Sequence, residues 1–479
     1  MRANGAQHAR HIMFGTIAWK VTSRLAIAAS WLPRPVYLRL LSYILQPLLR
    51  STRGQAPALQ EPRPGGAPAG PVPQRADRAA AQSTAGEKSA PAPAALSGRT
   101  VARALVIDGF TPTPDKDAAS NDVYWFMRIL RSLDYEVTFV AAFATAYAGR
   151  YTDDLLALGI ICPVAPALGS ARDFVALHGG AFDLIALYRI TVAEGLIEVL
   201  RRSAPNAKVI FNPVDLHFLR DQRQAELTGN LHAFVDAKRR EPRELRVVRA
   251  VDAAVLLSDF EYDYVGRHAP DARRVFIPLA TPVPGRLAPY EERAGVLFVG
   301  GFAHAPNVDA VHFLCGAIWP CVRRLVPDAR LFVAGADPPD EIAAYQAPSE
   351  GIEIMGHVAD LTDLYRTVRV AVAPLRFGAG LKGKVVSSLA VGLPCVATSI
   401  AREGMPEGGT DAVVVADEAG DFARAIADIH ANPVRWYRMS DQGVAYAHAN
   451  FSIEAIAGKV RELLASLGLP HDGTPHSYN

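Results

Sequence analysis

Cysteine is scarce, with four in 479 residues. Cys162, Cys315, Cys321 and Cys395 stand among apolar neighbours, without the short paired spacings that bind zinc or close a redox disulfide. They read as reduced core residues, which suits the cytoplasm, and no metal site is expected. Long apolar runs are missing as well. In residues 1–50 no uncharged apolar run approaches the roughly 20 residues needed to span a bilayer, so a transmembrane helix is disfavoured there. Excess charge of either sign is nearly absent, 50 Lys or Arg facing 48 Asp or Glu for a formal net charge of +2. That balance, with no interleaving of aromatics and basic runs, argues against nucleic acid as a partner.

Acidic residues are wholly absent from the first 50 positions, where seven Lys or Arg are woven through apolar pieces. A secretory signal would need one compact apolar stretch, whereas Lys20, Arg24, Pro33, Arg34, Pro35 and Arg39 break this one up. The segment reads as one or two amphipathic helices lying in the headgroup region of an anionic membrane, with Phe14, Trp19, Trp31 and Tyr43 at the interface. The alternative is a helix packed on the globular body. From about 51 to 100 the chain is dominated by Pro, Ala and Gly, and from Thr52 to Thr100 it has no Ile, Phe, Tyr or Trp. Such a stretch cannot offset its ordering entropy by burial and reads as a disordered linker.

What is present beyond residue 100 is strand and helix alternation. Apolar strand-like runs at 102–108, 136–142, 183–189, 207–215 and 252–259 are separated by amphipathic stretches such as 120–134. A second series follows at 294–301, 329–335, 352–357, 369–375 and 393–399. Alternation of this kind predicts an α/β fold with parallel sheets covered on both faces. Four prolines and a glycine between Pro278 and Glu292 break both patterns. The expected organisation is one Rossmann-like domain over 101–285, a second over 286–450, and a C-terminal helix and tail over 451–479 that returns to the first domain. Two such sheets face each other across a cleft, and the loops after their strands are where ligands belong.

Three of those loops in the second domain carry candidate residues. The segment 376–384, RFGAGLKGK, follows a strand and opens a helix, so Gly378, Ala379, Gly380, Lys382 and Lys384 suit a diphosphate: close backbone approach, outward helix-start N–H groups and two full charges. At 298–310, Gly300 and Gly301 end a strand, His304 can meet a phosphate or sugar hydroxyl, and Asn307 is a plausible N-cap. Glu403 follows the strand ending at Ser399 and is placed to meet a sugar hydroxyl or Lys382, its alternative being a simple surface charge. In the first domain, 212–223 gathers Asp215, His217, Arg220 and Arg223; Asp215 is expected as the N-cap of a helix beginning at Leu216, and His217 as a contact to acceptor or sugar. The polar loop 111–121 faces the same cleft.

Taken in order, FVGGF-x-H-x-PN-x-DA (298–310), APLRFGAG-x-KGKV (373–385) and GLP-x-VAT-x-x-x-x-EG (392–404) resemble the retaining glycosyltransferases of family 4, in particular bacterial cell-surface polysaccharide members. The likeness runs from about Ala102 to Leu467. It implies a GT-B fold and transfer of a sugar from a nucleotide diphosphate sugar to a hydroxyl of a glycan or lipid-linked acceptor, with retention. No essential metal and no separate cofactor are implied. By position, Lys382 and Lys384 would meet the diphosphate, Gly300 and Gly301 would let it approach, and Glu403 would lie near the sugar or nucleotide. Many relatives carry two glutamates eight positions apart, where this chain has Ala379 and Ser387, and often a glycine before the serine that here follows Ala118 and Ala119. Ser387 offers the ribose a weaker contact than a carboxylate. A cytoplasmic enzyme peripheral to the membrane's inner face is the expectation. A non-catalytic scaffold of the same fold, or a sugar-nucleotide epimerase, is the alternative.

Overall fold

The computed structural model describes residues 101–164, 169–406 and 411–471. The basic segment 1–50 and the linker 51–100 lie outside the described residues, as does the tail from 472. Two six-stranded parallel sheets form the body, as the alternation requires.

The first sheet contains β1 (Arg103–Asp108), β2 (Glu136–Ala141), β3 (Leu184–Tyr188), β4 (Lys208–Asn212), β5 (Ala253–Leu256) and β6 (Arg274–Phe276), in the order β2-β1-β3-β4-β5-β6. The second contains β7 (Val296–Val299), β8 (Leu331–Ala334), β9 (Ile352–Gly356), β10 (Val370–Ala373), β11 (Cys395–Ala397) and β12 (Val413–Val415), in the order β12-β11-β10-β7-β8-β9. Central strands such as β1 and β3 are buried along nearly their whole length, because helices cover both faces and no residue can point to water. The two edge strands β6 and β12 were not expected from the sequence. Each has three residues, too few for a period to register.

Strand order fixes where a ligand can enter. In the first sheet the order reverses between β1 and β3, and in the second between β7 and β10, and a crevice opens beyond the carboxyl ends of each such pair. The loops there are 109–117 and Arg189 in the first domain, and 300–304 and 374–382 in the second.

The chain passes between the domains twice, through 277–294 and again after Phe451, where the Thr281 amide donates to the Phe451 carbonyl at 2.8 Å. The helix Pro433–Phe451 packs on the second core through Trp436, Met439 and Phe451. The last helix, Ile453–Ser466, capped by Ser452, buries Ile456, Val460, Leu463 and Leu464 in the core of the first domain. That exchange ties the domains together by apolar burial rather than by the linker alone. Among the described residues no helix is long and apolar enough to cross a membrane, and no group of three or more His, Cys, Asp or Glu gathers as a metal site would need.

Candidate functional site

The GAG loop crosses to the first domain. Gly380 has φ +67°, and a Cβ built there would lie 3.0 Å from the Val214 carbonyl oxygen and 3.1 Å from the Asp215 Cβ. Only glycine combines that backbone conformation with that approach. The loop's opposite number is itself strained: Val214, a β-branched residue, sits at φ +68°, its amide held at 2.8 Å by the Asn212 side-chain oxygen. Ala379, half-buried, packs against the first-domain core.

Lys382 stands at the N-cap position of the helix Gly383–Ala390. Its side chain is 5% exposed, donates to the Gly380 carbonyl at 2.7 Å, and lies 3.9 Å from a Glu403 oxygen. Burial holds its ammonium below the ordinary lysine range, with Glu403 opposing. Lys384 donates to Asn307 Oδ1 at 2.5 Å with its ammonium 5.0 Å from the centre of the Phe298 ring. The residue as a whole is half-buried, but its charged end is enclosed, and burial followed by repulsion from Lys382 brings its pKa down to about 7. Both lysines therefore belong to one crowded cationic corner beside free helix-start amides.

Asn307 is not the N-cap. The helix Ala305–Phe313 begins earlier, with His304 at the cap position and no side-chain cap bond. Asn307 lies in the first turn, where its amide donates to the Gly301 carbonyl at 2.8 Å and its oxygen receives Lys384. Competition decided this, since a buried ammonium needs an acceptor more than a helix end open to the cleft does. A Cβ on Gly300 would strike the same Asn307 side chain at 2.7 Å, and one on Gly301 would come 3.2 Å from the Lys116 carbonyl across the cleft. His304 is open to solvent on one side; enclosure by the cleft walls and then the Arg220 charge lower its pKa.

Asp215 is likewise not a cap. Leu216 occupies that position for the helix His217–Thr228, and the Asp215 carboxylate is taken by Arg220 at 2.7 Å and faces His217 at 3.4 Å. The orphan amides of the helix start are met instead by two buried glutamates: Glu261 accepts from the Leu216 N–H at 2.8 Å and Glu244 from Phe218 at 3.0 Å. Burial raises both carboxyls, Glu244 to about 8. Sequence reasoning missed this pair; the one available signal was a glutamate directly beside the apolar run at Leu245, Val247 and Val248.

Glu403 is neither a surface charge nor chiefly a partner of Lys382. Arg223 grips it with two bonds of 2.7 Å and donates a third, also 2.7 Å, to the Gly378 carbonyl. This bidentate clamp joins the first-domain helix to two loops of the second domain. Burial lowers the pKa of His217, with Asp215 opposing. At the first-domain crevice Asp108 accepts from Arg189 at 2.8 Å, and Asp122, raised by burial to about 7, accepts from Asn212 at 2.9 Å. Ser387, one turn into its helix, is half-buried and lies beside the Tyr365 phenol. Gly378, Ala379, Gly380, Lys382, Asp215, His217, Arg223 and Glu403 thus meet at one seam, with Gly300, Gly301, His304, Asn307 and Lys384 along its second-domain wall.

Residues 293–432 match the family model described as glycosyl transferases group 1. No curated protein matches the chain. Among solved structures, sucrose-phosphate synthase from Thermosynechococcus elongatus aligns over 77% of this chain and 99% of its own, with 16% identity and a TM-score of 0.57. HepE from Anabaena, in complex with UDP and glucose, aligns over 76% and 99% with 12% identity and a TM-score of 0.56. A glycosyltransferase from Rickettsia africae ESF-5 aligns over 77% and 99% with 11% identity and a TM-score of 0.56. At such identities the likeness concerns the fold. The chain has the GT-B fold, and its residues 293–432 match the glycosyl transferases group 1 model.

Proposed function

We infer that the protein is a glycosyltransferase that moves a sugar from a nucleotide diphosphate sugar to a hydroxyl of a glycan or lipid-linked acceptor, with retention, in cell-surface polysaccharide synthesis. The observation that carries this reading is the pair Lys382 and Lys384 at the start of the helix beyond β10, on the crevice where the second sheet reverses. Charge develops on the leaving diphosphate as the glycosidic bond lengthens, and ammonium groups and amide dipoles already aimed at that place stabilise it without reorganisation. The anomeric carbon then bonds to the acceptor oxygen on the face the leaving group vacates, and the acceptor proton passes to the departing phosphate oxygen. Such a path demands no carboxylate base. Consistent with it, both carboxylates at the seam are occupied, Asp215 by Arg220 and Glu403 by Arg223.

A nucleotide panel tests this reading. UDP, GDP, ADP and CDP are added to the full-length protein and Tm is recorded, since a ligand that binds only the folded state raises it. One nucleotide is expected to give a clear shift, and that shift should shrink as pH rises through 7. The sign follows from Lys384: at about 7 its ammonium begins to lose its proton in the empty cleft, whereas a bound diphosphate would keep it charged. Binding above pH 7 must therefore include proton uptake, and below pH 7 it need not. No shift with any nucleotide, from folded protein, would instead favour a non-catalytic scaffold of this fold.

We also infer attachment to the inner face of the cytoplasmic membrane through the basic segment 1–50, from its composition. Deleting those residues is expected to move the protein from the membrane fraction to the soluble one; undiminished membrane recovery would refute this.

A further inference from the structure

Two phenylalanines stand in water at the lip of the first domain. Phe110 is 60% and Phe143 56% exposed, in the loops that follow β1 and β2, while Phe139 nearby is buried. They are not loose. The Phe143 amide donates to the Gly109 carbonyl at 2.9 Å, its ring lies over Gly109 with only 3.0 Å left for a Cβ there, and the two rings meet edge to face at 5.9 Å. Tyr147, 54% exposed, extends the same loop. A rigid apolar pair held open to solvent costs hydration free energy unless something covers it.

The surroundings say what. A small recess that the same two loops help to form is lined by Thr111, Ala144, Thr145, Ala146 and Thr152 and by apolar residues such as Phe139 and Leu155, so hydroxyls and small side chains lie on the loops that carry the rings. The loop that begins at Phe110 runs on to Asp115 and Lys116, and these reach the second domain: Asp115 lies 3.4 Å from His357, and the Lys116 carbonyl lies beside Gly301. The rings and the donor crevice are therefore the two ends of one loop. A bilayer is a poor fit, because Asp115 and Asp117 lie along this loop and the nearby Arg150 cation is already taken by Asp115. A pyranose ring is a good fit: it has an apolar C–H face for the aromatic rings and equatorial hydroxyls for the threonines and carboxylates.

We propose that Phe110 and Phe143 form a stacking platform that receives a neutral sugar unit of the acceptor glycan, next to the unit being extended. The proposal rests on the glycosyltransferase reading and narrows its acceptor to a glycan. The test uses the full-length protein, Phe110→Ala, Phe143→Ala, the double variant and the aromatic-conserving Phe143→Trp. Binding of a set of neutral oligosaccharides (gluco-, manno- and galacto-oligosaccharides of both anomeric linkages) is measured together with sedimentation on phosphatidylglycerol vesicles. At least one oligosaccharide is expected to bind the native protein, about tenfold more weakly to each alanine variant and near normally to Phe143→Trp. The nucleotide-induced rise in Tm should be the same in all of them. Failure of every oligosaccharide to bind, or equal binding by the double variant, overturns the platform. So does vesicle binding that the double variant alone loses, which would make the pair a membrane contact. If oligosaccharides bind as expected but no nucleotide raises Tm, the platform stands and the transferase reading falls.

Discussion

Lys382→Ala is expected to lower kcat for nucleotide release from the donor by about one to three orders of magnitude, the range seen when a preorganised donor to a developing anion is removed. The fold should survive. Glu403, which lies 3.9 Å from this ammonium, keeps both bonds to Arg223 and so is not left alone by the substitution. The Gly380 carbonyl loses its lysine partner, a cost of about one hydrogen bond. The loss should appear mainly in kcat, because the ammonium's interaction grows as charge moves onto the phosphate, with a smaller change in nucleotide affinity. Lys384→Ala should show the opposite emphasis, weakening nucleotide binding and abolishing its pH dependence above 7. Steady-state kinetics of both variants, with Tm shifts in the same buffers, separate the two lysines. An unchanged kcat for Lys382→Ala would remove that residue from the chemistry.

How much of this was legible in the sequence follows from how local each signal is. The central strands are continuous apolar runs bounded by turn residues, and five in each domain could be read directly. The GAG and KGK loop could be read because glycine and lysine together at a strand end have few other uses. The partners across the cleft were another matter. Arg223 and Glu403 are 180 residues apart, and nothing in either neighbourhood names the other. Asp215 and Asn307 were expected as caps on a local rule, and each was drawn away by a nearby cation, Arg220 and Lys384 respectively. A capping bond is worth about 1 kcal/mol and yields where a buried charge needs an acceptor. Glu244 and Glu261 then took over the vacant capping role from other helices, which no linear pattern encodes.

The closure of the cleft depends on a contact whose partners are two of the smallest side chains in the molecule. Gly383 opens the lysine helix, and a Cβ built there would lie 2.7 Å from the Ala118 Cβ across the seam, with the Leu279 side chain next at 3.8 Å. Carbon atoms do not approach so closely, so Gly383→Ala must push the domains apart at this point. Its backbone conformation is not the obstacle: Gly383 is not among the glycines with positive φ and sits at the first position of a helix, where alanine is welcome. The expected result is a stable protein whose kcat falls by about a hundredfold, the scale of a reacting group displaced by about 1 Å. Nucleotide binding to the second domain alone should change little. Because the clash has a single main partner, Ala118→Gly should restore the double variant to within a few-fold of the native rate, while Ala118→Gly alone changes it little. The double-mutant cycle measures that coupling directly. A native rate in Gly383→Ala, or a double variant as slow as the single one, would mean that the seam between Ala118 and Gly383 is not closed during turnover.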